Sequence, residues 1–262
     1  MHSSQRTLSS RWIAFVLALG VMLPRASRAE GEAVKKPVER PLVLIFDVNE
    51  SMLDLSGMAS EINKSFQDDS AFKQWFSLML QYSLVDNVTG RYHDFGKIGD
   101  ATMRMTAQLL GKEISEDERR RLLKQILVVP PHPDVVEGLT RLKQAGYRMV
   151  TLTNSTERVV TQQLQNAGIA KFFESSISVD EIKAYKPQLD AYKLALRKLN
   201  VKPEQAMLIA AHGWDVAGAA DAGLQTAFIA RKGHTLYPLA PPPTLTGETL
   251  AAIARQLTGA KP

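Results

Sequence analysis

The segment that most restricts how this chain can fold is residues 41–51, Pro-Leu-Val-Leu-Ile-Phe-Asp-Val-Asn-Glu-Ser. Residues 42–46 are five consecutive apolar residues. An unbroken apolar run is the pattern of a strand buried on both faces in a parallel sheet, whereas a half-exposed strand alternates. It delivers Asp47 onto the turn that follows. In open α/β sheets reactive groups collect where strands end, and a carboxylate there can act as a nucleophile. On its own such an aspartate reads as a cap for the next turn. Three segments further along change that reading.

With 262 residues the chain suits one α/β domain carrying an insertion and is long enough for a sizeable core. Its beginning is expected to lie outside that core. Arg6 and Arg11 precede an apolar run over residues 12–23, and Ser27-Arg28-Ala29 offers a small-x-small cleavage site. This is the layout of a secretory signal peptide over residues 1–29, and the run is short for a membrane span. The expected product is periplasmic or secreted, with membrane contact only through an uncleaved leader. Taking the four arginines of that segment, which holds no acid, from a formal net charge of +5 leaves +1. The basic balance therefore sits in the leader, and no nucleic-acid partner is expected. With no cysteine there is no disulfide, thiolate metal site or cysteine nucleophile.

Residues 30–40 are polar and read as a linker. From residue 53 to about 131 strand-like runs stop and helical periodicity takes over. Phe72, Trp75, Phe76, Met79, Leu80 and Ser83 fall at three-and-four spacing, predicting a helix over 70–85. Met103, Met105, Leu109 and Leu110 predict another. Ser115 with Glu118 has the form of a capping box ahead of Leu122, Leu123 and Ile126. Alternation then resumes, with strands at 148–153, 175–179, 206–210 and 225–230 and helices at 135–145, 157–167, 189–199 and 216–222. The proline-rich stretch 238–243 reads as loose, followed by a helix over 247–256. The alternation defines an α/β fold with a doubly wound parallel sheet, built from 41–52 and 132–262. A helical cap over 53–131 is inserted after the first strand.

Four polar sites fall at the ends of these strands. They are Asp47; Thr153-Asn154-Ser155 after the strand at 148–153; Lys186 in Ala-Tyr-Lys-Pro; and Asp215 in Ala-Ala-His-Gly-Trp-Asp. Each alone is a weak signal, since Thr-Asn-Ser after a strand is usually a helix cap. In this order the set resembles the haloacid dehalogenase superfamily. Its first motif, D-x-x-x-[ST], corresponds to Asp47–Ser51, its second to Thr153, its third to Lys186 and its fourth to Asp215. Within that superfamily TLTNS, YKPQLDAY and HGWDVAGA are most similar to the type II haloacid dehalogenases. The resemblance covers about residues 41–231.

That superfamily is dominated by magnesium phosphatases, which place an acid two residues after the nucleophile and a further acid in the fourth motif. Here those positions hold Asn49, which cannot give up a proton, and Ala211. A hard cation loses an anionic ligand by the second change. The expectation is therefore a metal-free site needing no cofactor, with Asp47 displacing a leaving group at C2 of a small 2-substituted carboxylic acid. The resemblance implies that Lys186 keeps Asp47 ionised, and that Asp215, with His212 beside it, orients or deprotonates the water that opens the ester. Thr153, Asn154 and the amides around Val48 and Asn49 would hold the substrate carboxylate, helped by the positive end of the helix starting near Ser155. Trp214 and Tyr192 would form pocket walls. One departure stands out: the halide-receiving arginine of type II enzymes aligns with Phe76, and Arg91 or His93 is the candidate substitute. A magnesium phosphatase, a hydrolase that opens a ring at a C–N bond and a non-catalytic binding module are the alternatives. A homodimer is left open.

Overall fold

The computed structural model describes residues 39–259. The expected leader and residues 30–38 of the linker lie outside the described residues. The sheet has six parallel strands: β1 (Val43–Phe46), β2 (Arg148–Thr153), β3 (Ser175–Ser178), β4 (Ala206–Ala210), β5 (Gln225–Ile229) and β6 (Leu245–Gly247), in the order β3-β2-β1-β4-β5-β6. The chain winds outward from β1 in two directions, so right-handed crossovers put helices on both faces. This explains why β1 and β4 are buried at every position and carry almost only apolar residues. Each large apolar side chain so buried contributes roughly 1.5–3 kcal/mol.

Five helices lie between β1 and β2, and the first four are α1 (Ser56–Phe66), α2 (Ala71–Thr89), α3 (Phe95–Leu109) and α4 (Glu116–Lys124). They form the cap. Their apolar faces meet around Trp75, Met103 and Leu122, and the Trp75 indole donates to the Gly99 carbonyl at 2.8 Å. The two connections to the core run side by side. Leu53 bridges to Pro131, the Asp54 amide donates to Pro130 at 2.8 Å, and the His132 amide donates to Met52 at 2.9 Å. Beyond the cap follow α5 (Val135–Gln144), α6 (Glu157–Asn166), α7 (Leu189–Leu199), α8 (Gly213–Asp221) and α9 (Leu250–Leu257).

Several expectations need correction. α1 was not anticipated, and α2 runs four residues beyond the expected end at 85. The capping box at Ser115 is half formed: its hydroxyl accepts from the Glu118 amide at 3.2 Å, but the Glu118 carboxylate binds Arg121 and Ser65 instead. The stretch after the prolines forms edge strand β6 before α9, so the helix starts at Leu250 rather than 247.

Candidate active site

Sheet register assembles the site. Phe46, the last residue of β1, aligns with Thr151 of β2 and Ile209 of β4, so Asp47 emerges between the carboxyl ends of both neighbours. Its amide donates to the Ile209 carbonyl at 3.1 Å, which fixes where its side chain starts. The turn beyond is closed by the Met52 and Leu53 amides, both donating to the carbonyl of fully buried Val48.

Lys186 reaches Asp47 Oδ1 at 2.8 Å, Asp215 Oδ2 at 2.6 Å and the Leu152 carbonyl at 3.0 Å. All three ammonium donors are used, as a fully buried lysine requires. The Asp215 Oδ1 accepts from the Tyr192 hydroxyl at 2.6 Å. Asp47 Oδ2 accepts from the Ser51 hydroxyl at 2.7 Å and contacts His212 Nδ1 at 3.1 Å. Ser51 in turn accepts from the Ala211 amide at 2.8 Å, tying the first turn to the end of β4. The other ring nitrogen of His212 lies 2.9 Å from Glu50 Oε2.

Burial alone would raise the Asp47 carboxyl, but the Lys186 ammonium and the His212 hydrogen bond outweigh it and hold it well below the usual carboxylate range. Burial would lower His212, yet its bonds to Asp47 and Glu50 push it up to about 9. For Asp215 burial raises the carboxyl, Lys186 pulls it back, and the Asp47 charge adds to the rise, leaving it above its ordinary value. Lys186 is raised: burial opposes its charge, and the two aspartates override that. Asp47 is therefore held ionised beside the lysine, a buried carboxylate oriented at both oxygens.

The other expected residues fall into three groups. Asn154 and Thr153 shape the loops: Asn154 Oδ1 accepts from the Lys186 amide at 2.9 Å, and Thr153 Oγ1 accepts from the Ser155 amide at 3.1 Å. Asn49 lines the cavity between cap and core, whereas Trp214 packs beside His212 and is not part of that lining. Asn49 Oδ1 accepts from Gln163 at 2.9 Å, and the Trp214 ring stacks on His212 at 5.0 Å and lies 5.8 Å from the lysine nitrogen. Two further residues stand elsewhere than expected. Tyr192 is wholly buried behind Asp215, because its hydroxyl is drawn to that carboxylate. Arg91 is exposed on the turn after α2, where Asp86 binds the backbone amides of both Arg91 and His93. The structure brings Arg91 to no contact with Asp47, and Phe76 instead stacks on His212 at 6.3 Å.

Beside Asn49 a cavity of about 640 Å³ opens between cap and core, lined by Trp75, Phe76, Met79, Tyr92, Ser155 and Arg158 among others. One of its walls is the start of α6, whose first amides have no intrahelical partner. The cap also grips the lysine loop, since the Asn87 side chain makes paired 2.9 Å hydrogen bonds with the Tyr185 backbone. The sequence reading did not single out Glu50, Ser51 as a ligand of Asp47, Gln163, Asn87 or His234. Of these only Ser51 and Glu50 stood within a recognised motif.

A parallel sheet with a helical cap after its first strand, and a strand-end aspartate locked to a lysine and a second aspartate, define a class of hydrolase. The family model for haloacid dehalogenase-like hydrolases matches residues 43–223, and the chain belongs to that family. It is 25% identical over 203 residues to (S)-2-haloacid dehalogenase H-109 of Pseudomonas putida, covering 77% of this chain and 91% of that one. It is 29% identical over 191 residues to (S)-2-haloacid dehalogenase 1 of Pseudomonas sp. strain CBS-3, covering 71% and 80%. Its fold matches L-2-haloacid dehalogenase of Xanthobacter autotrophicus, solved with chloropropionic acid covalently bound. The TM-score is 0.78, with 22% identity, 84% of this chain and 100% of that one covered.

Proposed function

We propose that the protein hydrolyses short 2-substituted carboxylic acids at C2, with a 2-haloacid as the substrate class. The observation that carries this is the buried Asp47 carboxylate, held by Lys186 at 2.8 Å on the turn whose Asn49 lines the cap-side cavity. One oxygen of Asp47 attacks C2, the carbon–halogen bond breaks, and the halide leaves with the bonding electrons. The ester left on Asp47 is then opened by water. This returns the carboxylate and releases a 2-hydroxy acid and a proton. Lys186 keeps the nucleophile charged, and Asp215 with Tyr192 holds the lysine in place. The amides at the start of α6 and the Asn49 side chain form the anchor for the substrate carboxylate. His212, with Nδ1 at 3.1 Å from Asp47 Oδ2, steadies the second oxygen of the nucleophile. Dehalogenase relatives that match along most of their length support the reaction class.

A single turnover in oxygen-18 water tests the covalent step. The label is expected in Asp47, located by peptide mass spectrometry, with unlabelled product. Label passing directly into product would sink the assignment. Halide release from L- and D-2-chloropropionate, beside phosphate release from a generic ester with magnesium, tests the class. Magnesium-dependent phosphate release without halide would reverse it. We also propose that the protein is exported by its N-terminal segment, from the arginine-flanked apolar run and the Ser27-Arg28-Ala29 junction. A mature N-terminus near Glu30 is the expected mass-spectrometric result, and an intact Met1 in the mature pool would refute export with cleavage.

A further inference from the structure

Three side chains that the proposed reaction leaves without a common purpose meet beside Asp47. They are Glu50 on the turn after β1, His212 at the start of α8, and His234 on the loop after β5. One ligand atom from each, a carboxylate oxygen and two imidazole nitrogens, lies within 4.8 Å of the others. Glu50 Oε2 is 2.9 Å from His212 Nε2, and Glu50 Oε1 is 3.9 Å from His234 Nε2. The geometry points to a binding site for a first-row transition ion of the zinc class, held by Glu50, His212 and His234.

Four observations support it. The donor set is the first. Two imidazoles and one carboxylate suit Zn²⁺ and its neighbours, whereas Mg²⁺ and Ca²⁺ prefer all-oxygen shells. Donors around a tetrahedral zinc stand roughly 3.3 Å apart, given bonds near 2.0–2.1 Å. The spacing here therefore needs only a small movement of His234, which is half-buried on a loop. The second is orientation. His212 meets Asp47 Oδ2 through Nδ1, which turns Nε2 toward Glu50 and His234. A ring N–H given to a carboxylate is the usual support of a metal-bound histidine. Phe76 and Trp214 both stack on this ring and fix its plane.

The third is the backbone at Glu50, a residue with a β-carbon held at φ 59 and pinned by His132 Nε2 at 3.0 Å from its carbonyl. Left-handed backbone at a non-glycine residue persists where surrounding structure enforces it, and it clusters at functional sites. The fourth places His234. A β-carbon on Gly213 would lie 2.3 Å from the Thr235 carbonyl oxygen, so the loop carrying His234 rests directly on the start of α8. A simple imidazolium–carboxylate pair would need Glu50 and His212 alone, and it gives His234 no role. Three protein ligands leave at least one coordination position for water or a substrate oxygen. The ion would be separated from Asp47 by the His212 ring and differs in every ligand from the magnesium arrangement considered above.

The test is direct metal binding, independent of turnover, so its failure leaves the Asp47 chemistry untouched. Full-length protein without a histidine tag is stripped with a chelator and titrated with Zn²⁺ by calorimetry, with metal analysis after dialysis. One zinc per chain is expected, undisturbed by a large excess of Mg²⁺. Glu50→Gln and His234→Gln should each weaken binding roughly tenfold or more, while His93→Gln on the cap surface should not. Circular dichroism checks that each variant is folded. Glu50→Gln is isosteric and His234 lies on a surface loop, so the two do not share one route to misfolding. Cobalt substitution adds a visible absorption band that His234→Gln should alter. Failure to take up one zinc, or uptake indifferent to both Glu50→Gln and His234→Gln, overturns the site.

Discussion

The two oxygens of Asp47 face different surroundings. Oδ1 points into the sheet, where Lys186, Asp215 and Tyr192 form a chain of contacts of 2.8, 2.6 and 2.6 Å among residues that are essentially sealed from solvent. Oδ2 points the other way, where Ser51 and His212 bind it and Glu50 and His234 stand behind, partly exposed. The deep flank comes from the end of β1, the loop carrying Lys186 and the helices α8 and α7, which supply Asp215 and Tyr192. The outer flank adds a strained turn and a loop from beyond the fifth strand. The difference separates two jobs: the deep flank keeps a carboxylate charged where water cannot help, and the outer flank fixes its second oxygen from a partly exposed side.

The largest expected effect comes from breaking the deep flank. Lys186→Met leaves two buried carboxylates without their shared cation, and removing one partner of a buried ionic group typically costs about 3–5 kcal/mol. Urea unfolding at neutral pH should show that loss, and turnover should vanish with it. Asp47→Asn should abolish turnover just as fully, yet cost less stability, because Lys186 keeps Asp215 and Leu152 as partners. Equal stability for the two variants would mean that Lys186 is not the centre of the deep flank.

Tyr192→Phe probes the far end of the same chain. Hydrogen bonds to charged groups contribute roughly 1.5–3 kcal/mol, so a stability loss in that range is expected. Turnover should fall through a lower kcat with little change in KM, since the ring lies behind Asp215 rather than against substrate. A rise in KM at unchanged stability would restore Tyr192 to the pocket wall.

The deep flank was legible in the sequence, and the reason is physical. Parallel strands buried on both faces are written as apolar runs, so the bounds of β2, β4 and α7 follow from composition and glycine or asparagine stops. Once the strands are placed, parallel register puts Asp47, Thr153 and Asp215 together. The outer flank was not legible, because His234 lies 184 positions from Glu50 and no periodicity links them. The rule that loops after carboxyl strand ends face the crevice applies to the loop after β5 too, and it was the signal available for His234. β6 escaped for a different reason. It is a three-residue edge strand beside prolines, made by backbone pairing with β5 and carrying no buried apolar pattern.

The smallest effect expected sits on the outer flank and isolates its backbone. Glu50 holds φ at 59, where a β-carbon crowds the neighbouring carbonyl and costs roughly 1–2 kcal/mol, while glycine has no such penalty. Glu50→Ala and Glu50→Gly both delete the carboxylate that meets His212, so that loss cancels between them. What remains is the strain of the alanine β-carbon set against the greater freedom of glycine in the unfolded chain, which favours alanine by up to about 1 kcal/mol. Glycine is expected to come out ahead by about 1 kcal/mol or less, read as a higher urea midpoint at unchanged slope. Alanine matching or exceeding glycine would mean that the turn relaxes once the side chain is gone. In that case the contact of the Glu50 carboxylate with His212 holds the outer flank in its strained shape, and the chain path does not impose it.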